Sequence, residues 1–446
     1  MEPLVWQDTV RMPTLDERGS RLLKQMLDHP HAPKFHNRSG SHLSVADLAE
    51  LNTYYNNEID QQGSAEWQQL SWLPLFVQHC LQQVPFYRQY DVAELPFMQL
   101  PTICRADLSA DVSRFVPDHL PLDRLLAYTT SGTTGHPLII PSHPQVAARY
   151  SCFHKKALRW NGVDCADFSS DLAIILAGYQ QKCFTYAAIS PYLNDRILAK
   201  LNFHPDDWND PQDRQKYLDH HKPDLISGDP VSLMELAKLG FSHRPQALLS
   251  TSMALTTATR TLLQQRFTCP LLDLYSLNEA GPVATSVSGH EGFKLLQSRL
   301  LVEILGPDGR PLTMGERGEI TLTGGFNDYL PLLRYRTGDY ARLQQYGADC
   351  YLLDLEGRPP VQFRTRDGEW LNNVDVTHLL QPFAMSQFSL HQYHDARLSI
   401  KVAGAVGLDA IRQRLESVFQ LPVTAQAIDF PSSAEKLIQY TSDLLP

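Results

Sequence analysis

The sequence lacks the features that would place the protein in a membrane or on a nucleic acid. Its longest apolar runs, such as residues 172–178, fall short of the roughly 20 residues that a spanning helix needs. The formal net charge is −10, and Lys and Arg form no long run, which argues against a nucleic-acid partner. The amino terminus has neither a basic nor a long apolar segment, so we expect no secretory signal.

Cysteine and histidine are present, but their spacing is not that of known metal motifs. The seven cysteines are scattered and form no C-x-x-C pair. An odd number of widely spaced cysteines indicates reduced thiols and hence a cytoplasmic protein. None of the 17 histidines falls in a ligand spacing such as H-E-x-x-H.

The hydrophobic pattern predicts an α/β protein of two unequal domains. Apolar residues at helical spacing predict a helix over 67–83. Helical segments, among them 213–221 and 257–267, alternate with short apolar segments between residues 146 and 275, which is typical of a largely parallel sheet covered by helices. Beyond residue 292 the pattern is β-rich, with a strand predicted over 332–335. The last 90 residues or so suggest a small α+β unit that contains a hairpin of strands 387–393 and 397–403. We therefore expect a large N-terminal domain (1–356) with mixed or parallel sheets, helices and a β-rich subdomain. A small C-terminal α+β lid (357–446) would follow.

A loop rich in Ser, Thr and Gly is the first candidate site. Residues 128–137 read Y-T-T-S-G-T-T-G-H-P and lie between two apolar segments. Gly132 and Gly135 let the backbone approach a ligand closely, so N–H groups and hydroxyls can converge on anionic oxygens. The G-K-[ST] ending of a Walker A motif is absent, so a nucleotide would be bound by different machinery.

Two further motifs carry carboxylates. Residues 273–282 read D-L-Y-S-L-N-E-A-G-P and place Tyr275 at the end of a strand predicted over 271–275 and Glu279 just beyond it, where open α/β sheets bind ligands. Residues 333–339 read L-R-Y-R-T-G-D, and Asp339 can accept two hydrogen bonds from a vicinal diol such as ribose. Taken alone, each residue has an ordinary structural explanation, as a turn carboxylate or a buried ring.

In this order and spacing, the three motifs resemble the adenylate-forming superfamily, and within it the phenylacetate–CoA ligase branch. The segments V-P-F-Y-R (84–88) and N-E-A-G-P (278–282) favour that branch, and the resemblance covers roughly residues 65–446. It implies that a carboxylate and ATP form an acyl-adenylate and pyrophosphate, and that the acyl group then passes to a thiol.

The resemblance also implies a role for each matching residue. The β- and γ-phosphates would be held by Thr130, Ser131, Gly132, Thr133, Thr134 and Gly135. The catalytic residues would be Lys436, at the carboxylate and α-phosphate, and Glu279, which would ligate Mg²⁺. Tyr275 would stack on adenine, and the ribose would be bound by Asp339 and Arg358. The nucleotide site would be completed by Ser252, Ser276 and Asn278, and the acyl pocket would include Tyr179, Phe184, Asp229 and Met253.

Departures from the family pattern leave three functions open. His136 replaces the usual lysine after the loop, and Pro359 and Pro360 fill the hinge. The first hypothesis is an AMP-forming ligase that uses ATP and Mg²⁺ on an aromatic carboxylic acid and transfers it to coenzyme A or a carrier phosphopantetheine. The second is an adenylating enzyme without a thiol step, which passes the acyl group, or an activated oxyanion such as nitrite, to an amine, a reductase or a partner protein. The third is a non-catalytic nucleotide-binding homologue. The expected partners are a small carboxylic acid and, for the carrier route, a carrier protein; a homodimer is left open.

Overall fold

The computed structural model describes residues 8–65, 70–90, 96–129, 138–180, 183–357, 361–385, 387–404, 407–428 and 439–444, apart from the side chains of 372–375 and 378. Within these residues the α-helices are α1 (Glu17–Leu27), α2 (Val45–Glu58), α3 (Leu73–Gln83), α4 (Arg105–Ala110), α5 (Pro144–Trp160), α6 (Asp213–His221), α7 (Pro230–Lys238), α8 (Thr257–Phe267), α9 (Asn373–Leu380) and α10 (Leu408–Phe419).

The strands fall into two stretches of the chain. The first comprises β1 (Ile103–Cys104), β2 (Leu126–Thr129), β3 (Ile139–Ser142), β4 (Leu172–Gly178), β5 (Tyr186–Ser190), β6 (Arg196–Asn202), β7 (Leu225–Gly228), β8 (Ala247–Thr251), β9 (Leu271–Leu277), β10 (Gly281–Ser286) and β11 (Phe293–Leu295). The second comprises β12 (Leu300–Leu305), β13 (Arg317–Gly324), β14 (Leu332–Tyr346), β15 (Asp349–Glu356), β16 (Gln362–Arg364), β17 (Trp370–Asn372), β18 (Gln387–Gln392), β19 (Leu398–Ala403), β20 (Val423–Ile428) and β21 (Tyr440–Ser442).

Local sequence signals explain where several helices begin. The hydroxyl of Ser44 and the carboxylate of Asp47 cap each other's backbone N–H groups at the start of α2. Asp229 accepts the backbone N–H of Ser232 at the start of α7, and Thr256 accepts that of Thr259 at the start of α8. Each cap satisfies an N–H group that has no partner inside its helix.

One 13-stranded mixed sheet organises most of the chain, in the order β12-β13-β14-β15-β11-β10-β9-β8-β7-β4-β6-β5, with β1 beside β14. Strands β6, β4, β7, β8 and β9 are parallel neighbours, so their carboxyl ends meet at one edge. Strands β4, β7 and β8 are almost continuously apolar, as expected of strands buried on both faces. This half of the sheet creates the edge at which ligands are bound in such folds.

The direction changes at β9, which pairs antiparallel with β10 through the turn at 278–280. Gly281, directly after this turn, has φ +68°, and a Cβ there would lie 2.1 Å from the ring of Phe326. Glycine is therefore required at this position. The remaining strands continue the sheet in antiparallel pairs towards β12.

The chain after residue 360 forms a smaller α+β unit with its own core. Its sheet has the order β20-β19-β18-β21, and buried side chains such as Phe363, Leu390 and Phe419 pack within it. The unit contacts α8, where the hydroxyl of Thr259 donates to the carbonyl of Met385 at 3.0 Å. The boundary at residues 356 and 357 stays a prediction.

Glu356 links the two units through a group of side chains that we call the clasp: Arg317, Glu356, Thr377 and Tyr440. Arg317 on β13 donates to Oε2 of Glu356 at 2.8 Å, and the Thr377 hydroxyl on α9 donates to Oε1 at 3.0 Å. The Thr377 and Tyr440 hydroxyls are hydrogen-bonded at 2.6 Å. One carboxylate therefore holds a strand of the large sheet and a helix of the small unit.

The predicted fold class is confirmed, and two local predictions are corrected. A helix predicted over 67–83 begins only at Leu73, because Pro74 favours the first helical turn and the residues just before it form a turn. The strand predicted to end at Tyr275 continues to Leu277, because it pairs with β10, so Tyr275 lies inside β9 and not at its end. Among the described helices, none combines the length and hydropathy needed to cross a bilayer.

Candidate functional site

A two-stranded ribbon leads into and out of the Ser/Thr/Gly loop. Thr129 at the end of β2 pairs directly with Ile139 at the start of β3. Leu138 is 1% exposed, whereas Tyr128 is 48% exposed. The predicted phosphate-binding residues Thr130, Ser131, Gly132, Thr133, Thr134 and Gly135 lie outside the described residues, so their role remains a proposal.

Glu279 lies in the β9–β10 turn and is buried, with 6% exposure. Its Oε1 accepts a hydrogen bond from Nη1 of Arg105 at 2.9 Å and another from the hydroxyl of Tyr335 at 3.1 Å. Neither bond uses Oε2. A carboxylate held in this way has a second oxygen, and carboxylate oxygen is the hard donor that Mg²⁺ prefers.

Tyr275 and Asp339 are brought together across the sheet from β9 and β14. The hydroxyl of Tyr275 donates to Oδ2 of Asp339 at 2.7 Å, and the backbone N–H of Asp339 donates to the hydroxyl of Thr337 at 3.0 Å. Burial, followed by the charge of Asp339, raises the pKa of Tyr275 well above its usual range, so the tyrosine stays a donor. Gly357 also lies beside this carboxylate, since a Cβ there would be 3.3 Å from Oδ1.

The remaining predicted nucleotide residues lie on the same edge of the sheet. Ser252 follows β8, is exposed and has φ +72°. Ser276 lies in β9 opposite Pro282, and Asn278 is exposed in the turn beside Glu279. The positions of Arg358 and Lys436 are outside the described residues, so the structure does not test them.

A cavity of about 240 Å³ opens between α5 and the parallel strands. Its described walls are largely apolar, with contributions from Ile174, Leu176, Ala188, Leu198 and Leu249. Polar groups are provided by Ser151, His154, Ser190 and Ser227, and tyrosine rings by Tyr150, Tyr186 and Tyr192. The volume is below the 300–1,000 Å³ of pockets for drug-sized ligands, so it suits a small molecule.

Tyr150 connects this cavity to the carboxylate cluster. Its ring lines the cavity, and its hydroxyl donates to the carbonyl of Asn278 at a long 3.5 Å. Burial raises the pKa of Tyr150, with smaller effects from Tyr128 and Glu279, both of which are therefore nearby. Deeper in, burial lowers the pKa of His154 to about 4, so this imidazole is neutral at pH 7.

The four residues predicted for the acyl pocket are not among the described residues that line this cavity. Asp229 is occupied as the cap of α7, where its carboxylate accepts the backbone N–H and the hydroxyl of Ser232. Phe184 is 51% exposed, and the ring of Tyr179 lies 5.4 Å from that of His204. The sulfur of Met253 accepts a hydrogen bond from Gln387 of the small unit at 3.7 Å. Their assignment to the pocket remains a prediction.

Sequence reasoning missed several residues that the structure brings to the site. Tyr335 belongs to the Y-R-T-G-D motif, so the sequence held a signal that could have identified it. Arg105 is 174 positions from Glu279, and no motif in the sequence marks it. Tyr150 and His154 lie four residues apart on one face of α5. That spacing could have indicated a polar pair facing a pocket.

The overall fold is similar to that of solved CoA ligases. The structure is similar to a crystal structure of 2-hydroxyisobutyryl-CoA ligase in the postadenylation state with 2-HIB-AMP, with a TM-score of 0.67 at 14% identity. The match covers 87% of this chain and 92% of that one. No family model matches the sequence.

By sequence, the chain resembles phenylacetate–CoA ligases, as its motifs predicted. It is 25% identical over 308 residues to phenylacetate–coenzyme A ligase of Escherichia coli (strain K12). The alignment covers 64% of this chain and 68% of the relative. It is 22% identical over 311 residues to the phenylacetate–coenzyme A ligase of Aromatoleum evansii, and that alignment covers 64% of this chain and 67% of the relative.

Proposed function

We propose that the protein is an AMP-forming ligase that activates a small carboxylic acid with ATP and transfers the acyl group to the thiol of coenzyme A. The observation that carries the proposal is the meeting of Glu279, Tyr275 and Asp339 beside a largely apolar cavity. The sequence relatives are named for this reaction type, and they support the predicted enzyme class.

The described residues fit a nucleotide and one divalent ion. Oε2 of Glu279 offers a hard oxygen, and the carboxylate of Asp339 offers acceptors for a ribose diol. Mg²⁺ bound there would offset the charge of the triphosphate. Arg105 fixes Glu279 in place, so that the carboxylate need not reorganise when the nucleotide arrives.

The cavity favours an aromatic acid with a polar ring substituent. Its aliphatic walls suit a flat ring, whereas His154 and Ser190 offer hydrogen bonds inside an otherwise apolar space. The hydroxyls of Ser190 and Tyr192 interact in the wall of the cavity, and a polar group on the substrate would form a hydrogen bond with this pair.

Several further features belong to the same proposal. Residues 1–356 would carry the adenylation site, and residues 357–446 would act as the lid that supplies Lys436. All seven cysteines are free, which supports a cytoplasmic location. A carrier phosphopantetheine offers the same thiol as coenzyme A, and a homodimer is testable by light scattering.

Pyrophosphate exchange over a panel of aryl and small acyl acids tests the adenylation step. Each active acid should then be assayed for AMP release with and without coenzyme A or a holo-carrier protein. Exchange without stimulation by any thiol would favour the route to an amine, a reductase or a partner protein. If folded protein exchanges pyrophosphate with no acid but binds ATP, the non-catalytic alternative replaces the proposal.

A further inference from the structure

Three histidines lie together at the end of the large sheet where its parallel strands begin, opposite the end that carries the candidate site. Helix α6 ends at His221 and β7 begins at Leu225, so His220 and His221 lie at the amino ends of the parallel strands. The candidate site lies at their carboxyl ends. A seven-residue strand such as β4 rises about 3.3 Å per residue, so the two edges are roughly 20 Å apart. The histidines therefore lie outside the site described above.

The third histidine comes from a distant part of the chain. His29 follows α1, and its ring centroid lies 4.3 Å from that of His220 and 5.0 Å from that of His221. The His220 and His221 rings are 4.8 Å apart. One ligand nitrogen from each histidine lies within 4.8 Å of the other two. Three imidazole nitrogens thus converge on one small volume.

These separations are close to those of a three-histidine metal centre. Zn–N bonds of about 2.0–2.1 Å in a tetrahedron place the nitrogens about 3.4 Å apart. The cluster must therefore contract by about 1.4 Å at most, which side-chain rotation can provide because His220 is exposed and His29 is half-buried. The backbone N–H of His31 donates to Nδ1 of His29 at 3.2 Å, and coordination requires this long bond to be given up.

One ring of the cluster, that of His221, has a nitrogen available for a metal ion. Nε2 of His221 is buried and has no hydrogen-bond partner among the described residues. The cluster lies in a cleft that is also lined by Asp171 and Asp224 and by Lys24 and Lys222, so the lining carries charges of both signs and the imidazoles are the donors that select the ion.

We propose that His29, His220 and His221 bind one divalent transition-metal ion of the zinc type. Imidazole suits Zn²⁺ and its neighbours in the first transition series, whereas Mg²⁺ requires oxygen ligands. The ion joins the segment after α1 to the α6–β7 corner. It stabilises the packing of the N-terminal segment on the sheet and has no part in acid activation.

The test uses tag-free, full-length protein that has been stripped with a chelator. Zn²⁺ and Co²⁺ are titrated separately, with calorimetry for both and visible absorption for Co²⁺; Mg²⁺ is the negative control. The informative variants are His220→Asn, whose exposed position makes unfolding unexpected, and His29→Ala. The matched control is His394→Ala in the small unit, where the side chain is 85% exposed.

The wild type and His394→Ala should bind one equivalent of Zn²⁺ and give the intense Co²⁺ absorption of a tetrahedral or five-coordinate site. Loss of one ligand should weaken binding at least about 100-fold, because loss of an outer-shell partner alone costs 10–100-fold. Zn²⁺ should raise the Tm of the wild type and not that of either variant. Equal affinity of His220→Asn and wild type for Zn²⁺, or a weak octahedral Co²⁺ spectrum in the wild type, would overturn the proposal.

Discussion

Asp339 gives the most direct test of the nucleotide site. Its carboxylate is held by the hydroxyl of Tyr275 at 2.7 Å and lies beside Gly357. We expect Asp339→Ala to weaken the binding of Mg-ATP, because the variant removes both acceptors for the ribose hydroxyls. Tyr275→Phe should have a smaller effect, because it removes one bond that orients the carboxylate and leaves the carboxylate itself.

The magnitudes follow from the hydrogen bonds involved. A hydrogen bond to a charged group contributes about 1.5–3 kcal/mol, and two are lost with Asp339. Water that enters the truncated site recovers part of this, so we expect a net loss of about 2–4 kcal/mol. That loss corresponds to a roughly 30- to 700-fold higher Kd. For Tyr275→Phe, about 1.5 kcal/mol corresponds to roughly tenfold.

Calorimetric titration of Mg-ATP is the assay of choice, since it does not depend on knowing the acid. Tyr346→Phe is the matched control, because Tyr346 lies on the same strand as Asp339 and is 48% exposed. Circular dichroism and thermal unfolding establish that each variant is folded. The assignment would be refuted if folded Asp339→Ala bound Mg-ATP within about twofold of the Tyr346→Phe control.

Three further predictions concern stability and the small unit. Lys156→Met should lower the free energy of unfolding in guanidinium by about 3–5 kcal/mol, because it leaves the buried Glu58 carboxylate without its cation, and adding Glu58→Leu should recover part of the loss. Burial raises the pKa of Asp47, but its bonds to Arg124 and the cap of α2 outweigh this and lower it to about 2. The folded state therefore favours the carboxylate, and the difference between wild type and Asp47→Asn, about 1–2 kcal/mol above pH 4, should vanish between pH 4 and 2 in denaturant titrations. Thr377→Val should speed limited proteolysis between the two units and leave the Kd for ATP unchanged, since it removes one side of the clasp; unchanged cleavage would contradict this.

The sequence specified the bounds of several local elements well. Helix α6 and helix α8 have the predicted bounds, and the hairpin of β18 and β19 was predicted within one residue. The strand predicted over 332–335 in fact runs to Tyr346, because pairing with β13 and β15 extends it through polar residues. Such pairing joins distant segments and leaves no period in the strand's own sequence.

Contacts between distant segments also limit how much of the candidate site the sequence can predict. Tyr275, Glu279 and Asp339 could be singled out from the sequence because each belongs to a motif with a chemical reason for its residue types, and their roles stay predictions. Arg105, which holds Glu279, carries no local signal, because its meaning depends on β1 pairing with β14 and placing α4 beside the turn. Motifs therefore predicted the groups that would touch a ligand, and only the fold shows the groups that hold them.

The clasp and the nucleotide site share one segment of backbone, which restricts how the small unit can move. Tyr340, next to Asp339, pairs with Glu356 in the β14–β15 ladder, and Gly357 then passes the Asp339 carboxylate. Arg317 anchors Glu356 to the large sheet, so this residue cannot travel with the small unit without breaking both an ion pair and a strand pairing. Thr377, in contrast, belongs to the small unit, so its hydrogen bond to Glu356 can break when that unit moves. A rotation of the small unit should therefore pivot after Gly357 and break the Thr377 bond first, while the Asp339 carboxylate stays in place.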